Sequence, residues 1–299
     1  MAIVAEPEPE ELHPHSVGEI LDLLHQGERR AIDAVQRALP AIETVITALI
    51  DGWQRGGRLL YLGAGTCGRI GAIDAAECPS TFGLPDDRVL AILAGGSGAL
   101  TLAPETAEAD EKSAMREIDA LEVGPDDIVI GLAASGTTPF TCAGLERAKE
   151  RGATTVAVTC NPRSRLEQAA RAPIVLEVGP DVVGGSTHIS AGTAQRLVCN
   201  SISTAAFVRL GQVWDRHMVY LRAESARLQC RTEGILVALG GCTGWEAAET
   251  LAAAGPELPV PALMARDSVD GATARACFKT TSVDVQAAMR EAHSAGRVA

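Results

Sequence analysis

Residues 59–68 read LLYLGAGTCG, an apolar run followed at once by glycines in the spacing GxGxxG. The apolar run is typical of a buried β-strand, and the glycines are typical of a tight turn from a strand into a helix. A dinucleotide site would also need a carboxylate at the end of the next strand, to bind the ribose. That strand ends in residues 93–97, LAGGS, which include no carboxylate. The pattern therefore favours a general anion site at the helix start, and a glycine turn that binds nothing is the alternative.

The rest of the chain repeats this alternation of strand and helix. Alternation at this spacing predicts an α/β fold in which helices cover both faces of a central parallel sheet. We expect a leader and N-terminal helices over residues 1–52, a main domain over 53–222 and a small helical domain over 223–299. The predicted strands are 58–62, 89–93, 127–132, 155–159 and 174–177, and the predicted helical segments are 17–53, about 68–77, 101–121, 138–151, 163–171 and 191–222.

Composition excludes several classes of function. The chain has 299 residues, of which 38 are acidic and 26 are Lys or Arg, and its net charge of -12 repels a phosphate backbone. Its eight cysteines form no CxxC pair, which favours free thiols in a reducing compartment. The N-terminus lacks the apolar segment of a signal peptide, and no apolar run reaches the roughly 20 residues of a membrane helix. We therefore expect a cytoplasmic protein with neither nucleic acid nor membrane as partner.

Two further polar segments follow predicted strands. Residues 133–139, AASGTTP, place the hydroxyl groups of Ser135, Thr137 and Thr138 at a helix start, where they can hold a phosphate without a lysine. Ordinary helix capping by Ser or Thr is the alternative. Because two such loops follow neighbouring strands, they favour one ligand crevice over two separate caps. The segment 184–195 is also rich in small donors, and its His188 is more typical of a structural residue than of a catalytic one.

One carboxylate stands out for its place in a predicted helix. Pro79 disfavours helical geometry at Cys78, so the helix that begins near Gly68 is expected to end there. Glu77 would then face the negative end of the helix dipole, which disfavours its charged form and suits a general acid. A solvated acid at a helix end is the alternative. Spacing alone does not show which of the acidic residues of 105–111 has a catalytic role. The sequence contains no metal-ligand spacing, no P-loop and no GxSxG motif.

Taken together, these segments resemble the N-acetylmuramic acid 6-phosphate etherases. The resemblance runs in order from about Ala34 to Asn200, and it implies the sugar-isomerase (SIS) fold, a three-layer sandwich around a parallel sheet that usually dimerises. Residues 53–222 would then be the SIS domain that binds the sugar phosphate. The motifs that carry the resemblance are Leu62–Thr66, Gly68-Arg69, Asp74-Ala75, Glu77-Cys78-Pro79, Ala133–Gly136, Thr138-Pro139, Cys160-Asn161-Pro162 and Ser190–Gln195.

The resemblance also implies a reaction. It is the cleavage of the D-lactyl ether of N-acetylmuramic acid 6-phosphate into N-acetylglucosamine 6-phosphate and D-lactate, by elimination of lactate and addition of water, with no metal and no redox cofactor. The catalytic residues implied are Glu77 and Glu108: one removes the proton beside the carbonyl, and the other protonates the departing lactate. The residues expected to contact the substrate or its phosphate are Gly65, Thr66, Ser135, Thr137, Thr138 and Ser186.

The chain departs from the family pattern at three places. Cys67 stands where Ser is usual, Thr137 stands where Arg is usual, and residues 187–190 read THIS in place of SRMK. The segment 187–190 thereby lacks two cations near the expected anion contacts. A non-catalytic sugar-phosphate sensor that resembles the glucokinase regulatory proteins is the second hypothesis, and an etherase for a related substrate is compatible with the same departures. An aldose–ketose isomerase is a third reading, and a nicotinamide enzyme is the least favoured.

Overall fold

A computed structural model describes residues 12–101, 105–186, 188–220, 226–240, 242–254, 259–267, 269–280 and 285–296. Most of the predicted leader, residues 1–11, lies outside this set. The chain forms two compact units. The first contains the chain up to Ala76 together with Asp86–Ser203, and the second contains Glu77–Pro85 together with the chain from Thr204 onward. The division into 1–52, 53–222 and 223–299 stays a prediction.

A five-stranded parallel sheet forms the centre of the first unit. The strand order is β2-β1-β3-β4-β5, so β1 and β3 lie side by side within the sheet. Every residue of β1 and of β3 is buried, as expected for strands covered on both faces. The predicted α/β fold with a central parallel sheet is thus confirmed. The strands are β1 Leu59–Gly63, β2 Val89–Leu93, β3 Ile128–Leu132, β4 Thr154–Thr159 and β5 Ala172–Val175.

Alternate residues of the strands pack against different helices. Leu60 and Leu62 lie in one apolar cluster with residues of helices α3 (Glu111–Ala120), α4 (Pro139–Glu150) and α5 (Arg165–Ala169). Tyr61 points the other way, towards helix α2 (Gly65–Phe82), where a Cβ atom built on Gly71 would lie 2.7 Å from the Tyr61 Cβ. The sheet is therefore the middle layer of a sandwich. The helices of this unit are α1 Val17–Gln54, the first part of α2 Gly65–Phe82, α3 Glu111–Ala120, α4 Pro139–Glu150, α5 Arg165–Ala169 and most of α6 Ser190–Arg209, with short 3₁₀ turns at Ser97–Leu100 and Glu105–Ala109.

Helix α2 is longer than the sequence predicted. The prediction that it ends near Cys78 is wrong, because it continues through Pro79 to Phe82. Proline in a helix removes one hydrogen bond and usually ends the helix. Here Cys78 and Phe82 are both buried, and the Phe82 ring lies 5.0 Å from the ring of Phe207. This packing outweighs the local preference, so Glu77 lies within the helix and not at its end.

The second unit contains the helical C-terminal region. Its helices are α7 Ala226–Gly240, α8 Gly244–Ala254, α9 Pro259–Asp267, α10 Gly271–Thr280 and α11 Val285–Gly296. The predicted helix over 191–222 is only partly correct, since Val213–Trp214 and His217–Met218 form a short antiparallel pair, β6 and β7. The Trp214 side chain is buried in one of two small apolar clusters. None of the described helices is long and apolar enough to cross a membrane.

Candidate active site

The glycines of the first loop allow strand β1 and helix α2 to approach closely. A Cβ atom built on Gly68 would lie 2.6 Å from the carbonyl oxygen of Gly63, and one built on Gly63 would lie 2.8 Å from the Cα of Gly68. Neither position can carry a side chain without moving the backbone. The first and last glycines of GxGxxG are thus required by packing between the strand and the helix. The middle glycine, Gly65, has a φ of 53° and begins α2.

Glu108 lies against this middle glycine. A Cβ atom built on Gly65 would lie 2.8 Å from Glu108 Oε1, so the carboxylate sits at the start of α2. Glu108 itself lies on the 3₁₀ turn Glu105–Ala109 and is half-buried. The first-turn N–H groups and the positive end of the helix dipole favour negative charge at this place. The structure therefore brings together two of the residues named from the sequence, Gly65 and Glu108.

Cys67 connects the first loop to the second. Burial raises the pKa of the Cys67 thiol, the backbone N–H of Ala134 and the side-chain amide of Gln195 oppose this rise, and the Glu108 carboxylate adds to it. The thiol is therefore protonated at neutral pH. The Ala134 carbonyl also accepts a hydrogen bond of 2.9 Å from the N–H of Cys160. Because Ala134 belongs to the second loop, the two predicted loops lie next to each other.

Gln195 is a residue to which sequence reasoning assigned no role. It lies in the second turn of α6, and it is fully buried. Neither its amide nitrogen nor its carbonyl oxygen makes a hydrogen bond of normal geometry with the residues that the structure describes, and the nearby Cys67 thiol is a weak partner. A buried amide without a strong partner is unusual. The available signal was its place at the end of the polar segment 184–195.

The second loop is held in shape by its own hydroxyl groups. Ser135 Oγ accepts hydrogen bonds from the N–H of Thr137, at 3.3 Å, and from Thr137 Oγ1, at 3.2 Å. The Asn161 side chain donates to the Ser135 carbonyl at 3.1 Å. Thr138 occupies the N-cap position of α4, yet its side chain makes no capping hydrogen bond. Ordinary capping therefore does not account for the Thr138 hydroxyl.

The third polar segment is organised around Asp181. The Asp181 carboxylate accepts from the N–H of Ser190 at 2.9 Å, which caps α6, and from the Ser186 hydroxyl at 3.2 Å. Ser186 Oγ also lies 3.2 Å from Nδ1 of the exposed His188. Thr187 lies outside the described residues. Ser186 is thus hydrogen-bonded within its own loop.

The predicted catalytic residue Glu77 lies elsewhere. It is an exposed residue of helix α2, in the part of that helix that belongs to the second unit.

A half-buried arginine stands beside the first loop. Arg69 donates to Thr66 Oγ1 at 3.3 Å and to the Ala99 carbonyl at 3.1 Å. Within the described ranges its guanidinium pairs with no carboxylate. Ala99 belongs to the connection between β2 and the turn that carries Glu108. Arg69 therefore links the start of α2 to that connection.

Two domain families match parts of the chain. Residues 41–149 match the glucokinase regulatory protein N-terminal SIS domain, and residues 100–205 match the SIS domain. In a solved structure, a phosphoheptose isomerase from Francisella tularensis aligns with a TM-score of 0.47 and 19% identity, over 64% of this chain and 99% of that one.

Curated relatives match over most of the chain. An N-acetylmuramic acid 6-phosphate etherase from Rubrobacter xylanophilus is 43% identical over 85% of this chain and 84% of its own length. The protein of the same name from Geobacillus thermodenitrificans is 44% identical over 77% of this chain and 78% of its own. The corresponding protein from Mycolicibacterium smegmatis is 43% identical over 82% of each chain.

Proposed function

The chain belongs to the N-acetylmuramic acid 6-phosphate etherase family, and from this premise we propose that it is a carbon–oxygen lyase. Its substrate is N-acetylmuramic acid 6-phosphate, and its products are N-acetylglucosamine 6-phosphate and D-lactate. The observation that carries this proposal is the identity of 43% over 85% of the chain to a protein of that name. Such a reaction would serve amino sugar metabolism in the recycling of peptidoglycan.

The proposed chemistry uses two carboxyl groups. One removes the proton on C2, beside the C1 carbonyl of the open-chain sugar, the bond from C3 to the lactyl oxygen breaks, and the other gives a proton to the departing lactate. Water then adds to the double bond of the sugar. We assign these roles to Glu108 and Glu77 as a pair, without dividing them between the two. Support for Glu108 comes from its carboxylate at the start of α2, against Gly65.

The second loop is the proposed phosphate site. The Thr138 hydroxyl is not used in capping α4, and the Ser135 hydroxyl accepts two hydrogen bonds, so its own proton can be donated to a ligand. Both groups stand at the start of a 12-residue helix whose dipole attracts anions. With Thr137 they supply hydroxyl donors where a lysine is absent. Ser186 is the proposed additional contact, and Gly65 and Thr66 line the sugar side.

A non-catalytic sugar-phosphate regulator is the second candidate. The match of residues 41–149 to the N-terminal SIS domain of the glucokinase regulatory protein favours it. A regulator would bind the sugar phosphate and would have no use for two acid–base carboxylates. The presence of both Glu77 and Glu108 therefore favours the lyase.

Lactate release from N-acetylmuramic acid 6-phosphate decides between the two candidates. We expect the native chain to release D-lactate, and we expect Glu77→Gln and Glu108→Gln each to suppress release by a factor of at least about 100. Glu43→Gln, on the outer surface of α1, is the matched control and should release lactate at the native rate. Binding of the sugar phosphate by calorimetry without any release would overturn the lyase and leave the regulator.

We further propose a cytoplasmic homodimer. Helix α1 exposes Leu21, Ile32 and Leu39, with 51%, 54% and 42% of their surfaces accessible. These residues follow one another at spacings close to whole helical turns, so they lie along one side of α1. The eight cysteines, all of them among the described residues, form no disulfide, which suits a reducing compartment. Sedimentation of the native chain and of Ile32→Lys would test the dimer, and the variant is expected to sediment as a monomer.

A further inference from the structure

We propose that Arg69 recognises the carboxylate of the lactyl group, a role that rests on the proposed etherase function. The substrate carries two anions, the phosphate on C6 and the carboxylate of the lactyl ether on C3. The phosphate is assigned to the hydroxyl-rich second loop. The carboxylate has so far been given no partner. Because the chain carries a net charge of -12, which repels anions, this carboxylate needs a cation close to it.

The contacts of Arg69 leave it able to bind an anion. A guanidinium has five N–H donors in a planar fork and no acceptor. Two groups within the described residues accept from it, Thr66 Oγ1 at 3.3 Å and the Ala99 carbonyl at 3.1 Å. Both acceptors are neutral, and no described carboxylate pairs with Arg69. The guanidinium is thus a half-buried positive charge whose counter-charge can come from a ligand.

Arg69 also determines where the Thr66 hydroxyl points. Because arginine only donates, Thr66 Oγ1 is the acceptor in their hydrogen bond, and the Thr66 proton is directed elsewhere. A ligand carboxylate beside Arg69 could therefore accept from Thr66 as well. Planar pairing of a guanidinium with a carboxylate, supported by a hydroxyl, is a specific arrangement for this group.

Position separates the carboxylate from the phosphate. Arg69 lies one turn into α2 from Gly65, the residue against which the Glu108 carboxylate lies. The lactyl ether bond must reach an acid–base residue when it breaks, and the lactyl carboxylate is two bonds from the ether oxygen. The phosphate on C6 is attached at another part of the sugar ring. A cation one helical turn from the glycine that the Glu108 carboxylate lies against is therefore assigned to the lactyl end of the substrate.

Binding measurements in a variant without turnover test this role. In the Glu108→Gln background, calorimetry gives the Kd of N-acetylmuramic acid 6-phosphate and of N-acetylglucosamine 6-phosphate, which lacks the carboxylate. Adding Arg69→Met is expected to raise the first Kd by a factor of about 30 and to change the second by less than about threefold. Adding Arg69→Lys keeps the positive charge. The Kd of N-acetylmuramic acid 6-phosphate in that variant should lie between the value with Arg69 and the value with Arg69→Met.

A purely structural role for Arg69 predicts a different pattern. If Arg69 only ties Thr66 to Ala99, both ligands should lose affinity by the same factor, and that result would overturn the proposal, as would no loss for either. Arg88→Lys is the matched control, because Arg88 is also half-buried and donates to the backbone carbonyls of Trp53 and Gly57. It should leave both Kd values unchanged. Lactate release by the native chain is measured separately, so failure of the etherase function is seen independently.

Discussion

The Glu108 carboxylate lies directly against Gly65: a Cβ atom built on this glycine would lie 2.8 Å from Glu108 Oε1. Gly65 also has a φ of 53°, in the left-handed region that side chains disfavour. Two separate reasons therefore require glycine here, one from the backbone and one from the carboxylate. An experiment can separate these two reasons, because other glycines of the chain have a positive φ without a carboxylate against them.

Gly65→Ala should impair catalysis more than stability. The added methyl group displaces the Glu108 carboxylate, and a displacement of about 1 Å at a reacting group costs roughly 100-fold in kcat/KM. Backbone strain should lower the free energy of unfolding by about 1–2 kcal/mol. Gly56→Ala is the control: Gly56 has a φ of 96°, but a Cβ atom built on it would have no neighbour within 4 Å. It should lose stability and keep its lactate release, and equal activity in both variants would contradict a role for the contact.

Asn161→Ala should weaken binding of the phosphate. The Asn161 side chain donates to the Ser135 carbonyl at 3.1 Å and so holds the second loop. Losing this hydrogen bond should raise the Kd of N-acetylglucosamine 6-phosphate about tenfold, as measured by calorimetry. Asn200→Ala, at an exposed position of α6, should bind as tightly as the native chain. An unchanged Kd for Asn161→Ala would remove the loop from the proposed phosphate site.

Cys67→Ser should stabilise the protein. The buried Gln195 amide lies beside the Cys67 thiol, a weak partner, and makes no hydrogen bond of normal geometry with the described residues. A hydroxyl group is a stronger partner than a thiol, so the free energy of unfolding in urea should rise by about 1 kcal/mol. Cys67→Ala removes the sulfur without adding a hydroxyl and should show no such gain. The same free energy of unfolding for the Ser and Ala variants would refute the pairing.

Asp127 should contribute to stability in a pH-dependent way. Burial alone raises the pKa of its carboxyl, but hydrogen bonds from Arg58 and from the N–H of Gly124 outweigh burial and lower the pKa. The charged form is therefore favoured by folding. Its stabilisation is complete above the unfolded-state pKa of about 3.9 and is lost as the pH falls through the lower folded-state value.

Asp127→Asn should remove that part of the acid dependence. It should cost about 3 kcal/mol at pH 7, because Arg58 is left without its partially buried partner. The adjacent Asp126 forms an exposed ion pair with Arg55, and Asp126→Asn should cost less than about 1 kcal/mol. Urea unfolding at several pH values from about 7 down to about 2, which extends below the unfolded-state pKa, measures both effects. If the two variants lost the same free energy of unfolding, burial would not explain the difference expected between these two ion pairs.

Local sequence was enough to predict the sheet and the two loops. The largely apolar runs at 89–93, 127–132 and 155–159 match strands β2, β3 and β4 to within one residue at either end, because most residues of a parallel sheet covered by helices are buried. The residues of a tight turn are likewise a local requirement. Helix α2 could not be predicted in the same way: Pro79 indicates an end, while the packing of Phe82 on Phe207 extends the helix.

The amino-acid sequence alone predicts the parallel α/β fold, the glycine turn after β1 and the family, since each depends on motifs of residues close together in the chain. The tertiary structure alone decided that Glu108, among the acids of 105–111, meets Gly65. It also decided that Arg69 joins Thr66 to Ala99 and that Gln195 is buried beside Cys67. These contacts join segments that are distant in the chain, so they follow from how the helices pack on the sheet and not from any local pattern.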